Sequence, residues 1–186
     1  MAISNGAIEI IATLEFGPRV LCFGLSGHPN LLYEQPPDST YLTAESGWRL
    51  YGGHRLWLAP ECEKTYWPDN SPVEHEFIND GFVLMQSLDE FLSARKSIKI
   101  RFTDCPNTAE ITLMIENAGS KVLVGAPWAV TAMRPGGVMR VPFYSEEMSA
   151  TPKRFISLWG NTSLADERLE FKENEVVVRH LSVISK

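Results

Sequence analysis

The sequence is poor in the residues that staple a chain, bind metal or anchor it to a membrane. It holds three cysteines in 186 residues, Cys22, Cys62 and Cys105, with no CxxC pair. Neither a disulfide framework nor a zinc knuckle is therefore predicted, and a reducing compartment is expected. Basic residues are scarce as well. Seventeen Lys and Arg against 23 Asp and Glu leave a net charge of −6, the wrong sign for gripping a phosphate backbone or an anionic lipid surface. Nucleic acid and membrane are not expected partners. No stretch approaches the ~18 apolar residues of a membrane span, and residues 1–6 lack the basic-then-apolar pattern of a signal peptide. A cytoplasmic location is the expectation. The glycine-rich dinucleotide fingerprint, the phosphate loop, the nucleophile elbow and the HExxH zinc motif are all missing, which removes most well-marked enzyme classes.

What is present is a globular composition, 44% hydrophobic and 22% charged, in a chain long enough for one ordinary domain with a sizeable core. Apolar residues recur in bursts of four to eight bounded by Gly, Pro, Asn or Asp, the signature of strands. Strands are predicted over 7–14, 19–25, 31–33, 55–59, 74–78, 82–86, 97–103, 110–116, 121–133, 138–143, 155–159 and 175–184. Two stretches read differently. Leu88, Phe91 and Leu92 have helical spacing within 87–96, and Ser163 with Asp166 and Glu167 resembles a short helix start over 163–168. With no repeat, linker or low-complexity tract, residues 1–186 read as a single all-β sandwich or barrel.

Chemistry concentrates between residues 48 and 70. Trp48, Trp57 and Trp67 crowd this stretch together with Tyr51, Tyr66, His54, Arg55, Glu61, Asp69 and Asn70. Gly52-Gly53 allows a close backbone approach, here read as approach to a ligand. The following strand separates two faces, with His54, Leu56 and Leu58 on one and Arg55 and Trp57 on the other. If the leucines face the core, a planar cation lies beside a large aromatic, turned towards solvent, an arrangement suited to a sugar ring. Each residue has a plainer reading: Trp57 as core, Arg55 as a snorkelling surface cation, His54 as a structural imidazole. Taken together, the cluster favours a site, supported by Tyr66-Trp67-Pro68-Asp69-Asn70 in a loop. Residues 126–133 offer a second candidate, with Trp128, Val130 and Ala132 on one face and Ala129, Thr131 and Met133 on the other. Glu61-Cys62-Glu63 and Glu74-His75-Glu76 supply metal-ligand types, yet alternation puts Glu74 and Glu76 opposite His75, an exposed acidic face. No metal and no cofactor are expected.

The segments 52–61, 66–70 and 126–137, with 15–21 and 27–32 as opening strands, resemble an uncharacterised family related to the aldose 1-epimerases, the galactose mutarotases. The resemblance implies a β-supersandwich of the galactose mutarotase-like type, C-terminally short, holding carbohydrate on a concave sheet. It also implies a difference in chemistry. Mutarotation needs an acid at the ring oxygen and a base at the anomeric hydroxyl. In the strand where that family carries its catalytic histidine, this sequence has Trp128, and the family's glutamate lies in a C-terminal portion this chain does not carry.

Three functional expectations follow. The first is a carbohydrate-binding protein using Arg55, Trp57, Tyr66, Trp67, Asp69, Asn70, Trp128 and Thr131. The second is a sugar mutarotase or epimerase with His54 as acid and Glu61 or Asp69 as base, although seven residues separate His54 from Glu61 along a strand. The third is an inactive scaffold or a subunit that needs a partner. The apolar segment 175–184 reads as a terminal strand with nothing after it to pair against, so homo-oligomerisation through that edge is also expected.

Overall fold

The computed structural model describes residues 1–36, 49–66, 69–143, 160 and 163–180. Described residues form strands, turns and one short 3-10 helix at Glu63–Tyr66, so the protein is all-β. The chain divides into two compact units, Met1–Arg134 and Pro135–Lys186.

The first unit contains β1 (Ala2–Ser4), β2 (Ile8–Thr13), β3 (Arg19–Leu25), β4 (His54–Ala59), β5 (Glu74–Ile78), β6 (Gly81–Met85), β7 (Ala94–Phe102), β8 (Ala109–Asn117) and β9 (Ala126–Thr131). They make two antiparallel sheets, a five-stranded one in the order β1-β2-β3-β4-β9 and a four-stranded one in the order β5-β6-β7-β8. Each sheet follows from period-two patterning. In β2, Ile8, Ile10 and Ala12 are buried while Glu9, Ile11 and Thr13 are half-buried; in β7, Ala94, Lys96, Ile98 and Ile100 all point inward. The inward faces meet in one core, where Ile10, Ala12, Val20 and Leu56 of the first sheet join Phe82, Leu84, Ile98 and Ile100 of the second. This is a sandwich.

Local chemistry sets two details of the first sheet. A bulge opposite Ile11 and Ala12 lets Val20 pair with Ala12 and Cys22 with Ile11, so Val20 and Phe23, three apart, both reach the core side. The segment after β3 then turns back against it without forming a regular strand. Asn30 tethers it: its Oδ1 accepts the Phe23 and Leu32 amides, and its Nδ2 donates to the Leu21 carbonyl. The predicted strand 31–33 is thereby reduced to isolated bridges of Leu32 with Met133 and of Glu34 with Gly52.

The two expected short helices are absent. At 87–96 the chain makes a tight turn in which Asp89 and Ala94 bridge, Asp89 Oδ1 accepts the Phe91 and Leu92 amides, and Ser93 takes φ 49°. At 163–168 there are turns, with Ser163 Oγ accepting the Ala165 amide.

The second unit carries β10 (Val138–Pro142), β11 (Leu169–Phe171) and β12 (Glu175–Arg179) in the order β10-β12-β11. This corrects the open-edge expectation: β12 is the central strand, paired on both sides, with Val177 fully buried. The predicted strand 155–159 and residues 181–184 lie outside the described residues. Among the described residues no helix is long and apolar enough to cross a membrane.

Candidate functional site

β4 lies between β3 and β9, and its registers define both faces of the first sheet. Arg55 pairs with Arg19 on one side and Val130 on the other, while His54 pairs with Val20 and Thr131. Arg19, Arg55, Trp57 and Trp128 therefore occupy the face away from the core; Val20, His54, Leu56 and Thr131 occupy the opposite one.

On the first face, two guanidinium groups share a carboxylate. Arg19 donates from Nη2 to Asp69 Oδ2 at 2.6 Å and from Nη1 to the Gly52 carbonyl at 2.6 Å, and Arg55 Nη1 lies 3.8 Å from Asp69 Oδ1. All three side chains are buried, with Arg19 1%, Arg55 5% and Asp69 5% exposed. Burial pushes the Arg19 guanidinium below its ordinary value, and Asp69 opposes that by its charge and hydrogen bond. Arginine stays charged regardless, so the carboxylate is indispensable to its neighbours. Aromatic rings complete the surroundings. Phe16 stacks on Tyr51 at 4.0 Å, Arg19 lies 5.3 Å from the Tyr51 ring, and Arg55 lies 3.9 Å over Trp57. Trp57 in turn meets its cross-strand partner Trp128 edge-on, centroids 5.7 Å apart at 66°.

The expected pairing of Arg55 with Trp57 is thus present, but its expected exposure is not. Trp57 is only 6% exposed and β4 is covered on both faces. Trp128 is half-buried and keeps part of its ring accessible, whereas Asn70, also half-buried, has its amide oxygen sealed from solvent. The glycine pair also has a different partner from the one expected. Gly52 and Gly53 adopt φ of 85° and 72°, and a Cβ on either would strike a carbonyl oxygen, that of Tyr33 or of Val20. The close approach they permit is to the protein's own neighbouring segments.

On the other face, His54 Nδ1 lies 2.9 Å from Thr131 Oγ1. Burial pushes the imidazole below its ordinary value, so it is neutral near pH 7. His54 is consequently not brought together with Asp69, which serves the Arg19 side of the sheet. Glu61, half-buried, follows the other end of β4, five residues of strand from His54, or roughly 17 Å. Thr131 likewise faces away from Trp128. Tyr66 closes the 3-10 helix, and Trp67 lies outside the described residues. Glu74, His75 and Glu76 are exposed on β5, and among the described residues no three His, Cys, Asp or Glu converge as metal ligands.

Arg19 is the participant the sequence reading missed. Its signal was a lone charge opening the otherwise apolar segment 19–25, a charge that a central strand must neutralise.

Comparison with known proteins finds no matching family, no matching characterised protein and no matching solved structure.

Proposed function

We propose that the first unit binds a carbohydrate on the sheet face carrying Trp128. The observation that supports this reading is the ordered stack in which Arg55 lies 3.9 Å over Trp57 and Trp57 meets the partly accessible Trp128 edge-on. An indole presents a flat apolar plate to the C–H face of a pyranose, while neighbouring amides and charges direct the hydroxyls. Trp128 supplies the plate. The buried Arg19, Asp69, Arg55 and Trp57 form a rigid backing that fixes the plate's orientation, which lowers the entropy lost on binding.

The reading is one of binding rather than mutarotation. Acid and base must act on one sugar ring, and His54 stands across the sheet from Asp69 and at the far end of β4 from Glu61. Titration calorimetry against a panel of neutral hexoses, hexuronates and hexose phosphates tests the proposal. Saturable heat with at least one sugar is expected, weakened about tenfold or more in Trp128→Ala, as for a lost aromatic contact. Absence of heat with every sugar at millimolar concentration overturns it.

A further inference from the structure

Across the sheet from the charged cluster, a groove of about 370 Å³ opens between the two sheets of the first unit. Its volume falls in the range of small-molecule sites. The floor is apolar and sealed: Ile10 and Val20 are 2% exposed and Ile100 is fully buried. The mouth is apolar as well, yet open to water. Leu31, Ile111 and Met133, from three separate segments around the opening, are 49%, 41% and 52% exposed. Large apolar side chains ringing a concave opening are costly in water unless something covers them.

Two polar side chains line this groove, His54 and Thr131, and their hydrogen bond determines what they present to an occupant. His54 Nε2 is sealed from solvent and has no hydrogen-bond partner among the described residues. A neutral ring protonated there would bury an orphaned donor, whereas a ring protonated on Nδ1 leaves only a buried lone pair. The second tautomer is the cheaper, so Nδ1–H donates to Thr131 Oγ1 across 2.9 Å. Thr131 is an exposed residue lining the groove, and its hydroxyl then keeps its own proton to donate. An apolar wall with one hydroxyl donor calls for an apolar molecule with one acceptor.

We propose that this groove is a binding site for a small apolar molecule carrying a single acceptor oxygen, a ketone or ester, its body between the sheets and its oxygen on the Thr131 hydroxyl. The site is separate from the proposed carbohydrate face, since His54 and Thr131 point away from Arg55 and Trp128.

Calorimetry on the full chain tests it, with propiophenone as probe and propylbenzene, in which a methylene replaces the carbonyl, as a control of similar shape without an acceptor. Wild type binds both saturably. Thr131→Val, which keeps the side-chain shape, weakens the ketone about fivefold and leaves propylbenzene unchanged, as expected for one net hydrogen bond. Ile111→Trp at the mouth abolishes binding of both, and Met133→Trp, on the other side of the opening, serves the same purpose should the first variant melt early. Three results overturn the proposal. They are no saturable heat from the ketone, equal losses of ketone and propylbenzene in Thr131→Val, or a dimer in light scattering that Leu31→Asp separates, which would make a second copy the occupant.

Discussion

His54 and Arg55 are consecutive residues that stand on opposite sides of one sheet, His54 registered with Thr131 and Arg55 with Val130. A one-residue step along a strand exchanges an apolar groove with a neutral imidazole for a buried ionic cluster. The His54-Arg55 pair, which looks like one site in sequence, is therefore two environments. Each has consequences that can be measured.

On the ionic side, Asp69 is the counter-ion of two buried cations that cannot release their protons. Asp69→Ala is expected to cost about 3–5 kcal/mol in urea unfolding, the range for leaving a buried charge unpaired. A loss under about 1 kcal/mol would mean that other groups or water neutralise Arg19 and Arg55 in place of Asp69.

On the imidazole side, the folded value of His54 lies below its ordinary 6.5 because of burial. Between that lowered value and 6.5 the unfolded chain binds the extra proton, so stability falls as the pH drops below 6.5 and levels off beneath the folded value. Unfolding free energies measured from pH 7.5 to 4.5 should show this slope in wild type and lack it in His54→Phe. Parallel profiles for the two proteins would place the imidazole in water.

Gly27 and Gly53 share a positive φ, 76° and 72°, but differ in their surroundings: a Cβ on Gly27 meets nothing within 4 Å, whereas one on Gly53 strikes the Val20 carbonyl. Gly27→Ala should cost about 1–2 kcal/mol, the conformational penalty alone. Gly53→Ala should exceed it by about 2 kcal/mol or more, because the β3–β4 pairing has to move. Equal thermal shifts for the two variants would remove the steric argument.

The all-β architecture was legible in the sequence because period two survives wherever one face is buried. Residues 19–25 and 74–78 were read with the bounds they have. Three-residue strands such as Ala2–Ser4 and Leu169–Phe171 are too short to show a period. The false helix at 87–96 arose from a shared device: Asp89 caps the amides of Phe91 and Leu92 as a helix N-cap would, and the positive φ of Ser93 then reverses the chain into β7. At the site, Arg55 beside Trp57 was readable from their i, i+2 spacing. Their burial was not, since it depends on β9 pairing with β4 from seventy residues away and on Asp69 arriving from a later loop. Opposite-facing Trp128 and Thr131 were also legible from alternation.

Asn30 gives the structure a point of chemical ageing. One side-chain amide holds the segment that forms part of the groove's rim, and its nitrogen faces the Leu21 carbonyl at 2.7 Å. Hydrolysis to aspartate would exchange that donor for an oxygen anion aimed at another oxygen, turning a tether into a repulsion. Slow deamidation in storage would thus loosen the groove before it disturbed the ionic cluster across the sheet, so old preparations should lose the ketone first.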